Sequence, residues 1–412
     1  MDEVAVKKVL YLSYDGMTDP LGQSQVLPYL CGLSESGFQF TILSFEKRQR
    51  YNKERKTIEK IATGAGIKWV PFFYTKNPPV VSKIYDRWKL KKMATSLHKK
   101  YQFDMIHCRS YVAAEMGLEL KKRTGVKFLF DMRGFWADEK VDNGQWNLNN
   151  WFFKRVYAHY KKKEKEFLLN SDGIISLTNA AKVEMLNNTD YKSLEIDVIP
   201  CCADLDHFNY QQVDKSKQQE LRTSLGISSN QKMLTYLGSA GGWYMIREML
   251  DFFGSLTKKD PLFKMLILTK DDPELVKQLT RDAGIDADKL IVRYAERKEL
   301  PVYISLSDCS IFFIRPTYSK IASSPTKHAE LMGMGIPVIC NNIGDTGLVI
   351  KETGTGILVK KFTENEYEKV IAQIDQLLQI PKEKIRQAAF QYFDLSKGTA
   401  DYLNVYKRIF KA

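Results

Sequence analysis

The sequence predicts an α/β protein built from two doubly wound, parallel-sheet domains. Three observations carry that expectation. Strand-like apolar runs alternate with helical stretches almost throughout, the pattern of βαβ units. The alternation comes in two series separated by a polar segment. The length of 412 residues also exceeds what one ordinary core organises. An apolar fraction of 44% and a charged fraction of 27% are those of a soluble globular chain.

The first series runs KVLYLSY (8–14), FQFTILSF (38–45), IKWVPFF (67–73), DMIHC (104–108), KFLFDM (127–132) and GIISLT (173–178). The second runs KMLTYLG from 232, FKMLILT (263–269), LIVRYA (290–295), CSIFFI (309–314) and IPVICN (336–341). Between them the chain is polar and carries a proline, so it reads as a linker with the boundary near 202–230. The domains are set at 1–205 and 206–394, and the tail LSKGTADYLNVYKRIFK (395–411) reads as an amphipathic helix. Ligands of such sheets bind beyond the carboxyl ends of the strands, so the loops that follow strands around an interdomain cleft should carry the chemistry.

Several classes are set aside by pattern. No Gly-x-Gly-x-x-Gly fingerprint follows the first strand, and no Walker A, His-Glu-x-x-His or Gly-x-Ser-x-Gly sequence appears. The five histidines (98, 107, 159, 207 and 328) lack metal-ligand spacing, so no protein-ligated metal is expected. The opening MDEVAVKKVL shows no signal peptide, and no stretch approaches 18 uninterrupted apolar residues. Cysteines at 31, 108, 201, 202, 309 and 340 form no Cys-x-x-Cys pair and read as reduced thiols of a cytoplasmic protein.

The net charge of +13 permits nucleic acid, an anionic membrane or a phosphorylated substrate as partner. Residues 83–100 mix Lys and Arg with Ile84, Trp88, Leu90, Met93 and Leu97, and residues 151–168 do likewise. Each reads as a basic amphipathic helix suited to peripheral membrane association, or as a solvated helix whose apolar side packs inward. No DNA- or RNA-binding motif accompanies the charge, so nucleic acid is not an expected partner.

Four loops stand out. After the first strand, DGMTDPLGQSQVLPYL (15–30) carries Gly22 before Ser24, a candidate helix cap, with Gln23 as a further donor toward an oxyanion. After the fifth, DMRGFWADE (131–139) offers Arg133 as a clamp for a phosphate or anionic acceptor, and Asp138 or Glu139 for acceptor hydroxyls, or an internal salt-bridge cluster. In the second half, YLGSAGGWY (236–244) supplies Gly238 and Ser239 at a flexible turn. The loop RPTYSKIASSPTK (315–327) supplies Arg315, Lys320 and Lys327.

That last loop leads into SSPTKHAELMGMGIPVIC (323–340). Ser324 suits an N-cap and Pro325 the first helical position, with Thr326 beside them and Gly335 ending the helix. Lys327 and Glu330 lie three apart on one helix face. Lys327 would meet phosphate and Glu330 ribose hydroxyls, the alternative being an ordinary surface ion pair.

Three segments in order, DPLGQSQVLPYLCGLSESG, VIPCCADLDHF (198–208) and SPTKHAELMGMGIPVIC, resemble the glycine loop, hinge and donor motif of glycosyltransferase family 4. The resemblance spans nearly the whole chain. It implies GT-B architecture, with two Rossmann-like domains facing a cleft and the C-terminal helix crossing back to the first. It implies a retaining transferase of the hexosyltransferase class. Such an enzyme uses a nucleotide-diphosphate sugar of UDP or GDP type as donor substrate, with no tightly bound cofactor. The acceptor would be a polysaccharide or lipid-linked glycan of the cell envelope, bound by the first domain at the inner face of the cytoplasmic membrane. Arg133, Lys327 and Glu330 are then the expected catalytic groups. Gly22, Gln23, Ser24, Gly238, Ser239, Arg315, Lys320, Ser324 and Thr326 would line the donor. Two departures stand. Ala322 occupies the place, eight before Glu330, where the family commonly has a second Glu. GSAGGWYMIRE also lacks the Arg and Lys often found after that strand. The alternatives are a nucleotide-sugar epimerase of the same architecture and a non-catalytic nucleotide- or membrane-binding relative.

Overall fold

The structure is a computed structural model that describes residues 6–75 and 77–411. Residues 1–5, the start of the segment read for a signal peptide, lie outside the described residues. The chain forms two compact units. One takes the described residues up to Pro200 and those from Leu395 on; the other is Cys201–Asp394.

The first unit is a parallel sheet of seven strands: β1 (Lys7–Ser13), β2 (Phe38–Glu46), β3 (Lys68–Phe73), β4 (Met105–Arg109), β5 (Lys127–Asp131), β6 (Gly173–Ser176) and β7 (Ile196–Val198). Their order is β3-β2-β1-β4-β5-β6-β7. The order reverses between β1 and β4, where a crevice opens in doubly wound sheets. Central strands are covered by helices on both faces and so read as continuous apolar runs: Val9 to Leu12 of β1 are all buried.

The second unit holds six parallel strands: β8 (Lys232–Leu237), β9 (Phe263–Leu268), β10 (Leu290–Arg293), β11 (Cys309–Phe312), β12 (Val338–Cys340) and β13 (Gly356–Leu358). Their order is β10-β9-β8-β11-β12-β13, with the switch between β8 and β11. The sequence reading found eleven of these thirteen strands. The other two, β7 and β13, are three residues long at a sheet edge and lie in no extended apolar run like the IPVICN that marks the equally short β12.

The segment read as a linker is largely built into the second unit. Leu205 and Phe208 are buried, and Asp214 caps the helix Lys215–Ser224 by accepting from the Ser216 and Lys217 N–H groups. Arg386 holds this stretch, donating to the carbonyls of Leu205 (2.7 Å), Phe208 (2.7 Å) and Gly333 (2.6 Å).

The C-terminal helix Leu395–Lys411 belongs to the first unit because its apolar stripe is there. Tyr402, Val405, Tyr406 and Ile409 recur at helical spacing and are buried. Gly32 and Gly173 admit it: a Cβ on either would meet Thr399 or Ile409 at 2.8 Å. No described helix is long and apolar enough to cross a membrane.

Candidate active site

The donor-motif helix runs Thr326–Gly333, after β11 and a short 3-10 turn, Tyr318–Ala322. Pro325, not Ser324, takes the N-cap position with extended backbone, and no side chain caps the helix. The expected Ser324 cap is thus corrected. The residue sits one place too early, and its Oγ instead accepts from the Cys201 N–H at 3.0 Å. Thr326 is the first helical residue, and Gly335 turns the chain away at φ 66°.

Lys327 and Glu330 are 7% and 8% exposed, which removes the reading as a surface ion pair. The Lys327 ammonium lies 3.5 Å from the centre of the Tyr244 ring and 4.5 Å from that of Tyr236. It donates a long hydrogen bond to the Tyr236 hydroxyl, 3.4 Å. Burial pushes its pKa well below that of an ordinary lysine, and Glu330 pulls only partly the other way. Glu330 pairs with Arg297 at 3.5 Å. Burial raises its carboxyl to about 7, against the opposing pull of Arg297 and Lys327. A buried cation and a buried acid at a helix start, each short of full compensation, favour an anionic ligand with hydroxyls.

The loop after β8 closes on Lys327 from the other side. Gly238 has φ 143°, and a Cβ there would fall 2.3 Å from the Lys327 Nζ. Tyr236 donates to the Ser239 carbonyl at 2.5 Å, and the Ala240 N–H donates to Asp271 at 2.5 Å, so the turn is fixed. The Ser239 side chain is exposed. Lys320 is buried with its ammonium 3.8 Å over the Trp243 ring. Arg315 is exposed, and its N–H donates to the Trp243 carbonyl at 2.9 Å. The loops 236–244 and 315–327 therefore meet, with Lys327 against Gly238 and Tyr244 and Lys320 over Trp243. Sequence reasoning valued the glycines of this loop and missed its aromatics. Nothing local pointed to Arg297, which reaches Glu330 from across the unit.

In the first unit the loop after β1 is arranged differently from expectation. Gly22 lies inside the helix Pro20–Gln25 rather than before it, and a Cβ there would sit 2.2 Å from the Gly16 carbonyl. Ser24 is not a cap: it is within that helix, and its hydroxyl donates to the Pro20 carbonyl at 2.8 Å. Gln23 Nε2 donates to the Thr18 carbonyl at 3.2 Å. The Met17 and Thr18 N–H groups of this loop donate to the buried carboxylate of Glu46 at 2.8 and 3.1 Å.

Arg133 sits at φ 60°, with Nη1 3.8 Å from Asp131. Asp131 is wholly buried and also accepts from Tyr402 at 3.1 Å; His107 lies 3.5 Å away. Burial alone would raise this carboxyl, but Arg133, His107 and Arg109 together hold it below its ordinary value. Asp138 is not available for acceptor hydroxyls. It is buried and accepts from Tyr157 (2.7 Å) and Lys161 (2.9 Å).

The family model described as Glycosyltransferase Family 4 matches residues 24–207, and the one described as Glycosyl transferases group 1 matches residues 217–391. Alpha-monoglucosyldiacylglycerol synthase of Streptococcus pneumoniae is 23% identical over 66% of this chain, and the match spans 58% of that relative. A glycosyltransferase from Rickettsia africae has the same fold, at 18% identity, TM-score 0.71 and 99% of both chains. So does Anabaena HepE, solved with UDP and glucose, at 14% identity, TM-score 0.70, 97% of this chain and 99% of that one.

Proposed function

We propose, on the premise that this chain belongs to glycosyltransferase family 4, that it moves a sugar from a UDP- or GDP-type donor to an envelope glycan, with anomeric configuration retained. The observation that carries the reading is Lys327, a buried ammonium at the first turn of a helix, next to a glycine turn and one turn before the buried Glu330. A diphosphate fits the first feature and ribose hydroxyls the second. The solved complex of Anabaena HepE with UDP and glucose favours the UDP type.

In the reaction the bond from the anomeric carbon to the diphosphate oxygen breaks, and a bond to the acceptor hydroxyl forms on the same face. The acceptor's proton passes to the departing phosphate oxygen. The protein's task is to position the two and to stabilise charge growing on the diphosphate. Lys327 and the helix N-terminus supply the positive charge that offsets it, with Lys320 and Arg315 on the preceding loop. Arg133 is assigned to the anionic part of the acceptor or donor, as the cation of the β5 loop. A relative named for making alpha-monoglucosyldiacylglycerol favours a lipid-linked acceptor, and with it work at the inner face of the cytoplasmic membrane.

Ligand-detected NMR of the purified chain against UDP, GDP, ADP and their sugar conjugates tests this. One nucleotide family should bind, and Glu330→Ala should weaken it with the fold intact. Slow release of free sugar with retained configuration would mark a transferase lacking its acceptor. Binding without any turnover would favour the non-catalytic reading. No nucleotide binding at all would end the donor-site assignment.

A further inference from the structure

The helix Pro79–Tyr101 is amphipathic in the reverse sense over its first turns. Its inward positions are polar: Ser82 and Asp86 are buried, followed by Leu90. Asp86 accepts from the Thr75 N–H (3.0 Å) and hydroxyl (2.7 Å) and pairs with Lys89 at 2.7 Å, so this end of the helix is tied to the loop after β3. The apolar stripe therefore faces outward. Val81, Ile84, Tyr85 and Trp88 recur at i, i+3, i+4 and i+7, and Ile84 and Trp88 are 62% and 52% exposed. An ordinary solvated helix would show the opposite arrangement.

The chemistry around the stripe says what covers it. Asp86, the one acid of this helix, points inward, and every other charged residue in it is basic. Tyr85 and Trp88 stack at 5.7 Å with their planes 19° apart, and Lys92 lies 5.1 Å over Trp88. Aromatic rings flanked by lysines are the composition of the membrane–water interface, where rings lie at headgroup depth and ammonium groups reach phosphates. A second, independent helix start repeats it. Trp151 is 70% exposed beside exposed Phe152, with Lys154 and with Arg155 stacked 5.6 Å over Trp151. This helix, Trp151–Asn170, touches the first through Arg87 and the Tyr160 hydroxyl at 3.0 Å.

We propose that the outward stripe Val81, Ile84, Tyr85 and Trp88, with Lys83 and Lys92 beside it, docks this chain on an anionic lipid bilayer. The proposal rests on the reading of a lipid-linked acceptor, since it would bring the first unit to the surface from which such an acceptor is taken. The binding needs no nucleotide, because none of these residues belongs to the donor site.

The test is flotation of the full chain with vesicles of phosphatidylcholine alone or mixed with phosphatidylglycerol, without nucleotide. The unaltered chain should float with the anionic vesicles. Ile84→Asp/Trp88→Asp and, separately, Lys83→Glu/Lys92→Glu should each weaken that by about tenfold or more. Circular dichroism and nucleotide-detected NMR on the same variants should be unchanged, since the altered side chains are exposed. Failure of the unaltered chain to float, or equal flotation of the variants, overturns the proposal while leaving the donor site standing. Equal binding to neutral vesicles, unaffected by the charge reversal, also overturns it. So does a concentration-dependent dimer, seen by light scattering and lost in Ile84→Asp/Trp88→Asp, because the stripe would then be an interface between copies.

Discussion

The Lys327 ammonium lies 3.5 Å above the Tyr244 ring and 2.3 Å from where a Cβ on Gly238 would stand. The lysine is thus held by π faces and by the absence of a side chain, not by a carboxylate. An aromatic face attracts the ammonium without pairing it with a counter-charge, so burial works against the charged form until an anionic ligand binds.

Lys327→Ala should weaken nucleoside diphosphates by roughly 10- to 100-fold, the ~1.5–3 kcal/mol of one charged hydrogen bond. Nucleosides without phosphate should bind almost as before. Titration of UDP against uridine, or GDP against guanosine, checks this. An equal loss for both would remove the phosphate role.

Gly238→Ala should lower thermal stability by about 1–3 kcal/mol, because φ 143° disfavours any side chain and the added methyl runs into the lysine. Diphosphate affinity should fall with it, as Lys327 must move. A variant with unchanged melting and unchanged affinity would show that the turn adapts freely.

Glu330 gives the second unit a pH-dependent stability. Its carboxyl titrates near 7 in the fold and near 4.5 when unfolded, so the native state binds the proton more tightly. Its contribution is fully present below pH 4.5 and is lost as pH rises toward 7, at up to ~1.4 kcal/mol per pH unit. Denaturant midpoints of the ligand-free chain should therefore fall more steeply over that window than those of Glu330→Gln. Parallel curves would place the Glu330 pKa near its ordinary value.

Arg386→Ala should destabilise the second unit by about 3 kcal/mol or more. It leaves three buried carbonyls without their charged donor and frees residues 205–208 from the end of the helix Thr326–Gly333. Urea unfolding should show it. Arg386→Lys should recover little, since one ammonium does not reproduce the fork that serves Leu205, Phe208 and Gly333.

Much of the fold was legible because doubly wound sheets bury their strands on both faces, so β1 and β9 appear as largely apolar runs. The edge strands β7 and β13 are only three residues long and have no such run. At the site, Lys327, Glu330 and Gly238 were visible through motif and turn chemistry. Tyr236, Tyr244 and Arg297 were not singled out, because their part depends on which loop packs against which. Ser324 and Ser24 show the limit of local rules. Both have cap-forming side chains, yet one reaches the Cys201 N–H and the other a carbonyl of its own helix.

The sequence by itself determined the alternation of strands and helices, the apolar stripe that takes the C-terminal helix into the first unit, and the Lys and Glu of the donor motif. These follow from periodicity and residue chemistry, which act over a few neighbours. Tertiary structure decided which charges are buried and which face of each helix is turned inward. Asp86 goes inside because Thr75 and Lys89 meet it there, and Ile84 and Trp88 are left outside as a consequence. Desolvation of Lys327 likewise comes from Tyr236 and Tyr244, 91 and 83 residues earlier in the chain. Burial is a property of everything that packs around a group, so no local reading of the chain contains it.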